Sequence, residues 1–208
     1  MHASAPFLLL ISAPSGAGKT TVSQGLMAAH PRIGRITTCT SRAPRPGEVD
    51  GVDYHFFSRS EFEARIAAGQ FLEYADVYGD WKGILKESVR AHWATGKDAL
   101  LSVDVQGAET IRRVMAADPA LAGRLVTVFI TPASREELET RLRGRDADAP
   151  EAIARRLDTA EPEVARWHEF DYLLVSRSRE EDLRLLSAIY EAECARSSRQ
   201  TFRWGAAR

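Results

Sequence analysis

Apolar residues run without a break from Phe7 to Ile11 and then give way to Ala-Pro-Ser-Gly. That pattern predicts a buried strand over Phe7–Ser12 and a tight turn after it. Val22, Leu26 and Ala29 recur at helical spacing, so Lys19–His30 reads as a helix that Pro31 stops. Two further apolar runs, Ala99–Val103 and Leu125–Ile130, and a shorter one at Tyr172–Val175 predict three more strands. Between them lie helical patterns over Lys86–Thr95, Gly107–Met115 and Arg179–Ala195. Ser134 caps another helix, with Glu137 at the capping-box position, that runs to Arg143. Residues 144–150 form a polar loop. A charged helix begins near Glu151 and is expected to be disturbed at Pro162. The polar tail after Arg196 is expected to fray.

The stretch from 36 to 85 breaks this rhythm. Ile36–Thr40 is rich in β-branched residues, but the following Ser-Arg-Ala-Pro-Arg-Pro-Gly resists regular structure. Tyr54–Phe57 and Phe71–Tyr78 read as short strands, the second turned at Gly79-Asp80, and Arg59–Ala68 as a short helix ended by Gly69. A small mixed lobe is therefore inserted between α/β units. Strands alternating with helices elsewhere imply a mostly parallel sheet covered on both faces.

Composition adds little to that picture and removes several classes of function. The chain has 208 residues with a formal net charge of -1. That suits a single domain and gives no sign of a general nucleic-acid binder. Cys39 and Cys194 are far apart and form no metal-ligand pattern, so they read as two reduced thiols. The five-residue apolar run near the start cannot span a membrane and follows no charged segment. The expectation is a cytoplasmic enzyme with no targeting segment, no membrane contact and no nucleic-acid partner.

The chemistry begins at residues 13–20. Ala13, Pro14, Ser15, Gly16, Ala17, Gly18, Lys19 and Thr20 match the phosphate-binding pattern G-x-x-x-x-G-K-[ST] except that Ala13 stands at the first glycine. The loop follows a predicted strand and opens a predicted helix, as the pattern requires. Glycines let backbone N–H groups wrap phosphate oxygens, and the positive end of the helix adds to the field. Lys19 would reach the β and γ phosphates of ATP, and Thr20 would offer its hydroxyl to Mg²⁺. Thr21 belongs to the same ATP-binding stretch. Asp104, at the carboxyl end of a strand, is a second candidate for holding Mg²⁺ through water.

Five segments give the chain a resemblance to the guanylate kinase family: ISAPSGAGKTT (11–21), TSRAPRPGEVDGVDYHFF (40–57), FLEYADVYG (71–79), VDVQGA (103–108) and RLRGR (141–145). The resemblance implies an α/β fold of the P-loop NTPase type with a helical lid, acting as a nucleoside monophosphate kinase. ATP and GMP, with dGMP a further possible acceptor, would be its small-molecule substrates. It divides the chain into a core (1–35, 86–140 and 170–208), a GMP-binding lobe (about 36–85) and a lid (about 141–169). Arg42, Arg45 and Tyr54 would hold the GMP phosphate. A proline between the two arginines stiffens the loop that presents them, and such a pair suits a phosphate dianion. Glu73 would accept the adjacent N1–H and N2–H₂ donors of guanine, which adenine lacks. Thr38 would contact the base, and Asp104 would also belong to the GMP site. Arg141, Arg145 and Arg156 would close over the transferring phosphoryl group, catalytic together with Lys19 and Arg42.

Several positions depart from the family pattern. Lys82 stands where a phosphate-binding tyrosine is usual and would itself serve as a phosphate ligand. Ile84 replaces a Ser or Thr, Ser102 replaces an acidic residue, and Ser176-Arg177 replaces Asn-Asp. Loss of the hydroxyl at Ile84 would cost about 1 kcal/mol of base recognition. Two alternatives therefore stay open at this level: a kinase of the same fold with another phosphorylated acceptor, and a non-catalytic binding module.

Overall fold

The computed structural model of the protein describes residues 4–144 and 150–201. A parallel sheet forms its centre, in the order β2-β7-β1-β8-β9. Its strands are β1 (Leu8–Ser12), β2 (Ile33–Arg35), β7 (Asp98–Val103), β8 (Leu125–Pro132) and β9 (Tyr172–Ser176). Every residue of β1 is buried because alternate side chains feed different cores. Leu8 and Leu10 join Leu101, Phe129, Ile111 and Met115 on one face. Phe7, Leu9 and Ile11 join Val22, Leu26, Leu186 and Tyr190 on the other. The helices that supply these residues are α1 (Lys19–Ala29), α4 (Val105–Ala117) and α7 (Arg179–Ala195), with α3 (Lys86–Ala94) beside α4. Among the described residues no helix is long and apolar enough to cross a membrane.

A second sheet, in the order β4-β3-β6-β5, makes the inserted lobe. It contains β3 (Thr38–Thr40), β4 (Tyr54–Phe56), β5 (Phe71–Val77) and β6 (Asp80–Leu85), with α2 (Arg59–Ala67) packed below. Strand β6 was not expected from the sequence, because its mixed composition includes Gly83. The structure explains that glycine: a Cβ there would lie 2.8 Å from the Phe71 ring, which crosses beneath the strand. Phe71 in turn stacks on Phe62 of α2 at 4.4 Å between ring centres. Strand β2 was also unexpected; it is only three residues long and sits at the sheet edge.

The remaining helices are α5 (Arg135–Arg143) and α6 (Pro150–Val164). They share a small core of their own, Leu138 and Leu142 against Ile153, Leu157 and Ala160. The expected disturbance at Pro162 does not occur, and α6 continues through it to Val164. The proline is in the last turn, where the single hydrogen bond it forfeits is to an exposed residue, Asp158. Both cysteines are free thiols, and burial pushes that of Cys39 up to about 12.

The end of the chain is fastened to its beginning through Asp98. This fully buried carboxylate accepts from the Phe7 amide at 3.0 Å and the Tyr190 hydroxyl at 2.8 Å, and pairs with Arg32 at 3.1 Å. Asp98→Ala strands the Phe7 amide and the Tyr190 hydroxyl, while Arg32 keeps the Ser4 carbonyl at 2.7 Å, and is expected to lower unfolding free energy by about 3 kcal/mol. Denaturant unfolding measures this; a loss under about 1 kcal/mol means the network is not a structural anchor.

Candidate active site

The phosphate-binding loop joins β1 to α1, as its pattern requires. Gly16 and Gly18 have φ of +97° and +90°, values that side-chain-bearing residues rarely adopt. Ala13 is tolerated because its backbone is not in that region; Tyr78 is the one non-glycine there among the described residues. Gly16 is further constrained by Leu142 of α5, whose Cδ2 would meet an added Cβ at 2.7 Å. The loop, Lys19, Thr20, Asp104 and Glu163 enclose a cavity of about 310 Å³.

Lys19 points across this cavity and donates to the Val103 carbonyl at 3.1 Å. Burial holds its ammonium below the usual lysine range, while Asp104 and Glu163 act in the opposite sense. Asp104 caps α4 by accepting from the Gly107 amide at 2.7 Å. Glu163, near the end of α6, was not identified from the sequence. Burial and the nearby Asp104 raise its carboxyl, and Lys19 partly offsets them.

The inserted sheet gathers the other site residues on one face. Register pairs Thr38 with Tyr54, Thr40 with Phe56 and Lys82, Ala75 with Lys82, and Glu73 with Ile84. Directly paired residues share a face, so Thr38, Tyr54, Glu73, Lys82 and Ile84 lie on the same side. The opposite side carries Cys39, which packs with the aromatic cluster on α2. Arg42 lies over the Tyr54 and Phe56 rings, 5.2 and 5.6 Å from their centres. Its two terminal nitrogens each donate to a separate oxygen of Glu48 at 2.6 Å. Glu48 also accepts from the Arg45 amide at 2.7 Å, so it shapes the whole arginine loop. The Arg42 guanidinium and the Arg45 amide together lower the Glu48 carboxyl to about 2. Glu48 was present in the motif, but only the structure reveals this bracing role.

Glu73 is half-buried, and burial with a contribution from Asp104 pushes its carboxyl up to about 7. Its Cγ would lie 3.6 Å from a Cβ on Gly107, and Asp104 Oδ1 3.3 Å from the same point. A glycine in the first turn of α4 thus lets the two carboxylates approach one another. Ile84 is buried with Leu72 and Leu101 in the central core, and it lines a second cavity of about 300 Å³ with Thr38 and Ser102. Ser102 approaches Ser23 at 3.3 Å between hydroxyl oxygens.

The lid residues separate into three groups. Arg141 reaches the loop at the Ala17 carbonyl (3.5 Å) and donates to Glu137 (2.6 Å) and to the Ser176 hydroxyl (2.9 Å). Arg156 lines a cavity of about 320 Å³ with Ser15 and Glu163. Arg145 lies outside the described residues.

Comparison with known proteins gives a consistent result. A family model described as guanylate kinase matches residues 6–193. The chain is 40% identical over 193 residues to a guanylate kinase of Xanthomonas oryzae pv. oryzae, covering 93% of the chain and 92% of the relative. It is 42% identical over the same length to a guanylate kinase of Cereibacter sphaeroides, covering 93% and 89%. Among solved structures, guanylate kinase from Anaplasma phagocytophilum matches with a TM-score of 0.67 and 30% identity, covering 95% and 91%.

The contrast between the two loop glycines is testable. Gly18 has no heavy atom within 4 Å of an added Cβ, so Gly18→Ala should cost only the conformational strain, about 1–2 kcal/mol. Gly16→Ala must also displace Leu142 and should cost more. Equal loss of stability in the two variants would mean that α5 does not pack against the loop.

Proposed function

The chain belongs to the guanylate kinase family, and from that premise we propose how its own residues carry the reaction. It phosphorylates GMP to GDP at the expense of ATP. The other acceptors left open by the sequence give way to GMP. The observation that carries the residue assignments is the position of Asp104. It is an electrostatic neighbour of both Lys19 in the loop and Glu73 in the inserted lobe. Donor and acceptor sites therefore adjoin at the amino end of α4.

ATP lies with its phosphates against residues 13–21. Backbone amides and the positive end of α1 wrap them, and Lys19 exchanges the Val103 carbonyl for the β and γ phosphates. The Thr20 hydroxyl and the Asp104 carboxylate lining the cavity are hard oxygen donors of the kind Mg²⁺ takes. Thr20 and Asp104 would hold the ion, which would supply charge neutralisation to the transferring group.

GMP lies on the shared face of the inserted sheet. Arg42, Arg45, Tyr54 and Lys82 hold its phosphate, with Arg42 braced by Glu48. Glu73 takes the two adjacent donors of guanine and Thr38 supplies a further polar contact. Asp104 closes the site on the side of α4. A GMP phosphate oxygen bonds to the γ phosphorus as the bond from that phosphorus to the β–γ bridging oxygen breaks. Arg141, Arg145 and Arg156 of the lid segment offset the charge that moves with it. The assignment uses a core of 1–35, 86–140 and 170–208, a GMP lobe of about 36–85 and a lid of about 141–169. The enzyme acts in the cytoplasm on small molecules, without a membrane or nucleic-acid partner.

Guanine needs Glu73 as a carboxylate, but in the free protein its carboxyl sits at about 7. Below that pH the proton must leave before guanine binds. GMP affinity should therefore fall by about tenfold per pH unit below 7 and level off above it. Subtracting the profile of Glu73→Gln removes the titration of the ligand's own phosphate. That variant should also lose most of its preference for GMP over AMP. Parallel profiles in the two proteins would remove Glu73 from the base site.

A further inference from the structure

Helix α6 turns two different faces to its surroundings. Ile153, Leu157 and Ala160 pack on α5. Arg155, Arg156, Thr159 and Glu163, which follow Ala152 by three, four, seven and eleven residues, form with it a separate stripe that lines a cavity with Ser15. Glu163 ends that stripe and also lines the phosphate cavity beside Lys19 and Asp104. It is thus the point where the lid helix meets the site of the nucleotide phosphates.

Among the described residues, the charged side chains lining the phosphate cavity are one ammonium, Lys19, and two carboxylates, Asp104 and Glu163. A cavity built only to attract a polyphosphate would not carry that balance. The backbone amides draw in a triphosphate whether or not a cation accompanies it. The two carboxylates oppose a bare triphosphate and favour one that arrives with a divalent cation. Asp104 has other duties, since it caps α4 and adjoins Glu73. Glu163 is the carboxylate whose place is explained by the cavity itself.

We propose that Glu163 is a specificity-determining residue that restricts the phosphate loop to the cation-complexed triphosphate and discriminates against the bare one. This rests on residues 13–21 being the ATP phosphate site.

The test is calorimetric titration of ATP into the full chain, once with excess Mg²⁺ and once with a chelator, for wild type, Glu163→Gln and Glu163→Asp. Glu161→Gln serves as a charge-matched control, because Glu161 pairs with Arg135 and is exposed. Glu163→Gln should tighten binding of bare ATP by about tenfold while Mg·ATP changes by less than about twofold. Glu163→Asp and Glu161→Gln should keep the wild-type ratio between the two conditions. A neutral variant that binds both forms as wild type does, or weakens both equally, overturns the proposal and leaves Glu163 a structural residue. If wild type binds ATP in neither condition, the assignment of the loop itself fails, a result distinct from the first.

Discussion

Phosphate-to-phosphate transfer must overcome the repulsion between two anionic substrates, and the rest of this structure is arranged around that repulsion. In the proposed assignment, each subsite would meet phosphate with cations that are already held in place. Arg42 is braced by both oxygens of Glu48 and lies over two aromatic rings. Lys19 is aimed across its cavity by the Val103 carbonyl, with Asp104 and Glu163 beside it. Arg141 is tied to Glu137 and Ser176 next to the loop. Carboxylate partners for the two arginines and the Val103 carbonyl for Lys19 keep these cations oriented before substrate arrives, which reduces the ordering needed at the moment of binding.

That arrangement requires a rigid floor and covers that are separate from it. The floor is the parallel sheet, with apolar side chains feeding cores on both faces. The inserted sheet and the α5–α6 pair each have small cores of their own. The inserted sheet also sends Leu72 and Ile84 into the central core. Leu142 approaches Gly16 and Glu73 lies close to Gly107; in both places a glycine allows the approach, one in the phosphate loop and one in the first turn of α4.

The features most readable in the sequence were those that act locally. The buried strands, the Gly16–Thr20 pattern and the Arg42–Tyr54 run depend on adjacent residues; the loop joins β1 to α1, and Arg42 lies over the Tyr54 ring. Strand β6 escaped because its justification is distant: Gly83 makes sense only beneath the Phe71 ring. Glu163 escaped for a similar reason, since its meaning lies in facing Lys19 across the cavity. The stripe of Arg156, Thr159 and Glu163 was a signal available in the spacing, but it resembles any polar helix face. Pro162 misled because a proline in the last turn forfeits little.

The departures at Lys82 and Ile84 have distinct surroundings. Lys82 lies on the same face as Tyr54, while Ile84, paired with Glu73, is absorbed into the core. In the proposed assignment, base choice rests chiefly on Glu73. The most direct test is ADP release from Mg·ATP with GMP, AMP, CMP and UMP offered at equal concentration, with Lys19→Ala as the inactive control. Turnover confined to GMP is the predicted result. Comparable turnover of AMP would contradict the account, because Glu73 would then not be selecting the base.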